Sequence, residues 1–271
     1  MNLTNYHSHC SFCDGKAPME DFVKSAIAAG FTSYGISSHA PLPFETCWTL
    51  SQERVPDYLQ EIGRLKQRYA GEIEIYAGLE IDYLNEIQNP ANSYFQALPL
   101  DYRIGSVHLV YTDEEEIIDT DTDPENFRYL LEKHFRGNLQ EMVTRYFVAA
   151  MRMVEAGGFD FVGHAGICQP DLFRQGWFTD MLKEYFTLIA ERGIMMEINT
   201  KAFLRKGCFF PDIRHFAFIR ALGIPVLVNS DAHRPDLINA GRAEALQALK
   251  EAGFHTVRQL QGGKWIDVPI A

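Results

Sequence analysis

The stretch LQEMVTRYFVAAMRMVEAGGFDFVGHAG, Leu139 to Gly166, decides how this chain is read. Its first part repeats apolar residues at spacings of three and four, the period of an amphipathic helix, and the pair Gly157-Gly158 closes it. A short apolar run, Phe159–Gly163, then reads as a buried strand. His164 stands directly after it. The unit is a helix, a strand, and a chemically capable residue at the strand's C-terminal end.

The same unit recurs in both directions along the chain. Strands are expected at Leu3–His7, Ser33–Ser37, Ile73–Ile81, Tyr102–Val107, Phe159–Gly163, Ile194–Asn199 and Pro225–Ser230. Helical patterns lie between them, at Met19–Ala29, Ser51–Tyr69, Pro124–His134, Leu139–Ala156, Trp177–Arg192, Asp212–Leu222 and Ile238–Ala252. Strand–helix alternation of this kind argues for a parallel sheet, and its repetition for closure into a barrel. The length of 271 residues fits one α/β barrel. No Pro/Gly/Ser-rich linker divides it, so residues 1–271 read as a single domain. The acidic stretch Thr112–Glu125 reads as a surface excursion, with a lid over the site as the lesser alternative.

In a parallel barrel the active site lies at the C-terminal ends of the strands. There the sequence places His7, His9 and Asp14 after the first strand, His39 after the second and Glu80 at the end of the third. His108 follows the fourth, His164 the fifth, and Asp231 and His233 the seventh. Six of the nine histidines fall at these ends. A lone histidine there is ordinarily a hydrogen-bonded structural residue, and a lone aspartate a helix cap. Nine ligand-type residues at one end of one barrel point instead to a metal cluster.

Imidazole and carboxylate together suit zinc, iron or manganese better than calcium. In HSH the two imidazoles share a side, because residues i and i+2 of an extended segment do. Glu80 can bridge two ions through its two oxygens. Nine ligands exceed the needs of one tetrahedral zinc and suffice for two or three ions. Cys10-x-x-Cys13 lacks the second pair a structural zinc needs, so both thiols are expected to pack behind the cluster. Lys201, Arg205, Lys206 and Arg234 stand at the same barrel end and are candidate clamps for an anionic substrate.

A net charge of −11 and the absence of any basic run argue against nucleic-acid binding. No apolar run is long enough to span a bilayer, and no signal peptide is visible. Five scattered cysteines argue against a disulfide framework, so a reducing cytoplasm is the expected location. A homo-oligomer is compatible with all of this.

The motifs HSH…D, the histidine at 39, GLE, SVH, GHA and SDAH resemble the PHP (polymerase and histidinol phosphatase) family. The resemblance runs from His7 to His233. FCDGKAPMEDFVKSAIAAGFTSYGISSHAPLPF followed by a tryptophan, AGLEIDY and EINTKAF look like the PHP-type histidinol-phosphate phosphatases. The resemblance implies a distorted (β/α)7 TIM-like barrel with a trinuclear site. It implies one metal on His7, His9, Glu80 and Asp231, a second on Glu80, His108 and His164, and a third on Asp14, His39 and His233. It further implies phosphatase activity: hydrolysis of L-histidinol phosphate, in histidine biosynthesis, by attack of a metal-bridging hydroxide. Glu80, Asp231 and His233 are then the candidate catalytic residues. Some phosphatases of this kind carry a basic residue soon after the fifth-strand histidine; here HAGICQPDLF has none before Arg174. Acidic residues such as Glu45 and Asp82 are candidates for meeting a cationic substrate. Two rival functions are a PHP phosphoesterase for another small phosphomonoester, such as a nucleotide or phosphotyrosine peptide, and a metal-binding module without turnover.

Overall fold

The computed structural model describes residues 3–120, 122, 124–167 and 172–270. The chain runs β1 (Leu3–Asn5), α1 (Met19–Ala28), β2 (Phe31–Ile36), α2 (Val55–Arg68), β3 (Glu74–Asp82), α3 (Ser93–Ala97), β4 (Tyr102–Ser106), β5 (Leu109–Tyr111) and β6 (Ile117–Asp119). It continues with α4 (Pro124–Phe135), α5 (Leu139–Ala156), β7 (Phe161–Val162), α6 (Gly176–Glu191), β8 (Met195–Asn199) and α7 (Phe203–Lys206). Then come α8 (Phe216–Ala221), β9 (Val226–Asn229), α9 (Arg242–Glu251), β10 (Thr256–Gln261) and β11 (Lys264–Pro269).

Seven strands form one sheet in the order β1-β2-β3-β4-β7-β8-β9. Each neighbouring pair is parallel. Parallel neighbours cannot be joined by tight turns, so the crossovers carry helices. Each expected strand is present to within a few residues. The sheet curls until β9 meets β1. At this seam asparagine amides stand in for ladder peptides: Tyr6 N–H donates to Asn229 Oδ1 (2.8 Å), and Ser230 N–H to Asn5 Oδ1 (3.1 Å). A backbone bridge resumes beyond them, with His9 N–H donating to Ala232 O at 2.9 Å. The buried guanidinium of Arg242, from α9, reaches the same seam. Its Nη1 donates to Thr4 O and Val228 O, both at 2.7 Å. Burial pulls this guanidinium down to about 10, still protonated at neutral pH.

Helices α1 and α2 pack Phe22, Val23, Tyr58 and Ile62 against β2 and β3. Helices α5, α6 and α9 pack Phe147, Phe186 and Leu249 against the later strands. Inside the barrel, Tyr6, Tyr76, Tyr102 and Phe161 form an aromatic floor. The Tyr102 ring lies across Gly35 and Gly78, where a Cβ would come within 2.2 Å and 2.3 Å of its atoms. Any side chain there would displace the ring.

The antiparallel hairpin β10–β11 closes the N-terminal mouth of the barrel. Leu260 N–H donates to the Tyr6 hydroxyl (2.8 Å), and Trp265 Nε1 donates to Asp160 just before β7 (3.1 Å). Neither this hairpin nor β5–β6 is among the expected strands. The acidic stretch supplies the turn of β5–β6 and the approach to α4, with Asp113, Glu114 and Glu115 exposed; its residues 121 and 123 lie outside the described ones. With the lower mouth plugged, the functional end is the one where the strands finish.

Candidate metal centre

All nine candidate ligands converge at that end. Glu80, wholly buried on β3, is the hub. Its Oε2 lies 3.0 Å from His39 Nδ1, 3.2 Å from His7 Nε2 and 3.3 Å from His9 Nε2. Its Oε1 lies 2.8 Å from His164 Nε2 and 3.7 Å from His108 Nε2. Asp231 Oδ1 is 3.2 Å from His9 Nε2 and 3.7 Å from His7 Nε2. On the other flank, Asp14 Oδ2 is 3.2 Å from His233 Nε2, and its Oδ1 is 3.8 Å from His39 Nε2.

Of these contacts the His164–Glu80 Oε1 pair is a hydrogen bond, but most of the others are not. His7 Nε2, His9 Nε2, Asp14 Oδ1, His39 Nδ1, Glu80 Oε2 and Asp231 Oδ1 are buried polar atoms without a hydrogen-bond partner. Orphaned polar atoms are costly and uncommon in folded proteins. Two ligands each about 2.0–2.2 Å from one ion sit about 3–3.5 Å apart. The observed separations fall in or close to that range, so the donor set fits divalent cations. Ligand atoms of His9, Asp14, His39 and His233 lie within 4.8 Å of one another, as do those of His7, His9 and Glu80, and those of His39, Glu80 and His108.

The backbone is strained where the ligands demand it. His164 (φ 24°) and Asp231 (φ 48°) occupy the left-handed region, which costs a non-glycine residue about 1–3 kcal/mol. A second layer orients the imidazoles. His7 Nδ1 lies 2.8 Å from Glu197 Oε2, and Glu197 also accepts from Asn199, Asn229 and the backbone N–H of His164. His108 Nδ1 and its backbone N–H both meet Asp82 Oδ1, at 2.9 Å and 2.8 Å. His233 Nδ1 meets Asp231 O at 3.0 Å. Each bond leaves Nε2 facing the cluster.

Asp82 therefore does not line a substrate surface. It is 3% exposed and committed to His108. Glu45 is exposed in the loop after β2. Glu197 is a buried carboxylate that the strand-end search passes over, because it lies inside β8 rather than beyond it.

Electrostatics follow from crowding. Burial opposes charge on His7, but the carboxylates of Glu197, Glu80 and Asp231 outweigh it and hold the ring's pKa well above the usual value. Burial, with His39 and His233 alongside, pushes His9 well below it. Burial works to raise Glu80 and Asp231, yet their neighbours outweigh it and both stay well below the carboxylate range. For Glu80 these are the histidines, led by His7; for Asp231, Lys201 comes first. Asp14 is lowered as well, burial being overcome chiefly by His233.

Of the four basic candidates, Lys201 reaches the cluster, its Nζ 3.2 Å from Asp231 Oδ2. Arg205 and Lys206 are exposed in the last turn of α7. The Arg234 guanidinium makes a forked pair with Asp236, at 3.0 Å and 2.7 Å. Trp48 sets its edge against His39 and His108, with ring centroids 4.9 Å and 5.6 Å away, and Phe210 stands 6.3 Å from His164. Cys10, Cys13 and Cys47 are free thiols, whereas Cys208 is disulfide-bonded, against the expectation of a fully reduced chain. Residues 168–171, after the fifth-strand histidine, lie outside the described ones.

The model of the PHP domain family matches residues 5–201. This chain belongs to that family. The PHP chain is 26% identical over 257 residues to the histidinol-phosphatase of Bacillus subtilis, covering 86% of this chain and 94% of that one. It is 24% identical over 265 residues to a Deinococcus radiodurans protein named a probable histidinol-phosphatase, covering 94% and 95%. It superposes with a TM-score of 0.75 on the histidinol phosphate phosphatase of Lactococcus lactis, at 22% identity, covering 97% of this chain and 98% of that one. The Lactococcus crystal structure holds zinc, L-histidinol and phosphate. At this identity the superposition establishes the shared PHP barrel.

Proposed function

We propose that this PHP chain, acting as one unit over residues 1–271, is a metal-dependent phosphomonoesterase that hydrolyses L-histidinol phosphate to L-histidinol and phosphate. The observation that carries the reading is the convergence of nine ligand-type side chains at one barrel end, five histidines of them on Glu80, with polar atoms of six of the nine left without a hydrogen-bond partner. The names of the Bacillus and Deinococcus relatives, and the ligands of the Lactococcus structure, support the substrate.

His7, His9, Glu80 and Asp231 would hold one ion, Glu80 with His108 and His164 a second, and Asp14, His39 and His233 a third. Zinc, iron and manganese suit this donor set. Such ions supply Lewis acidity, activate water near neutral pH and neutralise charge on both oxygens of an in-line displacement. The chain's own residues do the rest. Glu80 ties two positions together at a fixed spacing. Glu197 and Asp82 hold the tautomers of His7 and His108, so that Nε2 stays a lone-pair donor. Lys201, beside Asp231, offers a cation to the phosphoryl oxygens.

The test is kcat/KM for L-histidinol phosphate beside p-nitrophenyl phosphate, a nucleotide monophosphate and a phosphotyrosine peptide, before and after chelation. Histidinol phosphate is expected to lead by a wide margin, with chelation abolishing turnover. A higher value for the nucleotide or the peptide would assign another phosphomonoester. No turnover on any of them would leave a metal-binding module.

A further inference from the structure

Cys10 and Cys13 both lie in the turn after β1, but they do different things. Cys10 is buried against Ser38, with Sγ 3.5 Å from that hydroxyl. Cys13 Sγ lies 3.6 Å from Nδ1 of His9. The same thiol donates to Cys10 O at 3.5 Å, so its hydrogen is committed and its lone pairs face the imidazole. Among the described residues this sulfur is the partner of His9 Nδ1, just as Glu197, Asp82 and the Asp231 carbonyl are for His7, His108 and His233.

We infer that Cys13 is a positioning residue whose neutral sulfur accepts the Nδ1–H of His9 and so presents His9 Nε2 to Glu80 and Asp231. The inference rests on the proposed ligand role of His9. The turn is built to hold the sulfur still. Cys10 O also accepts from Cys13 N–H (3.0 Å) and Gly15 N–H (3.1 Å), which wraps the segment around one carbonyl. A Cβ at Gly15 would come within 2.2 Å of His9 O, so the turn closes this tightly only with glycine there. The choice of acceptor has a chemical reason. His9 sits among Glu80, Asp231 and Asp14, and a further carboxylate behind its ring would add charge to a crowded acidic pocket. A thiol acceptor fixes the tautomer and adds none.

The experiment uses the full chain as Cys13→Ala and Cys13→Ser, with two readouts. The first is the tautomer of His9 by 15N-histidine nuclear magnetic resonance on chelated protein. The second is zinc retention against graded chelator. The Ala variant should lose the Nδ1–H signature and bind zinc about 10–100-fold more weakly, the usual cost of removing an outer partner of a metal-bound histidine. The Ser variant, which keeps an acceptor, should hold both close to wild type. Wild-type behaviour in Cys13→Ala, or a loss in Cys13→Ser as large as in Cys13→Ala, overturns the inference. If Cys13→Ala does not fold, Cys13→Ser decides alone: signature kept supports the role, signature lost refutes it. The resonance readout needs no metal, so wild-type protein that bound no zinc would sink the proposed function while leaving this question answered.

Discussion

Glu197 Oε2 and His7 Nδ1 stand 2.8 Å apart, both wholly buried, one inside β8 and the other just beyond β1. Glu197 also receives Asn199, Asn229 and the His164 backbone, so one carboxylate ties together four segments of the barrel rim. Glu197→Gln turns an amide NH2 toward groups that are themselves donors. Zinc affinity should drop about 10–100-fold, and stability by about 3–5 kcal/mol, as when a buried pair loses one member. Chelator competition and denaturant unfolding measure the two. An unchanged pair of values would mean that Glu197 neither orients His7 nor holds the rim.

Glu80→Gln keeps the side chain's shape and removes the charge shared by five histidines. Turnover should drop by several orders of magnitude, the scale of losing a central catalytic group, with reduced metal content. Elemental analysis beside kcat checks it; full metal with near-normal kcat would remove Glu80 from the bridging position.

Lys201→Ala should retain its metals and lose about 2–4 kcal/mol of transition-state stabilisation, the range for one electrostatic donor. Arg234→Ala, whose guanidinium is already occupied by Asp236, should stay within a few-fold of wild type. The comparison of kcat/KM across the two decides which cation meets the phosphate. If Arg234→Ala suffers the greater loss, the forked pair opens when substrate binds and the assignment reverses.

Arg242→Ala takes away the donors shared by Thr4 O and Val228 O at the seam. Buried carbonyls left without them should cost about 2–5 kcal/mol in urea unfolding. A midpoint equal to wild type would show that the asparagine amides hold the seam unaided.

The barrel is legible because strand and helix periods differ and because each strand run ends at a chemically capable residue. The nine candidate ligands follow from that one rule. What escapes it is the layer behind them. Glu197 sits inside MMEIN, and its visible signal is a charge in the middle of an apolar strand, which is tolerated in a core only when fully paired. Asp82, two positions past Glu80 and so on the same face of β3, shows the same alternation that places Glu80, and the direction of its carboxylate depends on where His108 folds over it. The β10–β11 hairpin is signalled by Gly262-Gly263 between alternating segments, a common two-residue turn. Its plugging role is invisible in one dimension, since Leu260 meets Tyr6 across 254 positions of chain.

The seam has a consequence for how the protein is made. Asn5 and Ser230 are joined across 225 positions, and the residues that flank them carry the first and last members of the cluster. During synthesis the early half-barrel emerges with His7, His9 and Glu80 already present, but its open edge waits for β9. Pairing over such a distance is slow to form and comes late. A ribosome-bound chain that has not yet delivered Asp231 and His233 has only a partial set of the proposed donors, so on the proposed assignment complete metal loading follows translation of the last barrel strand.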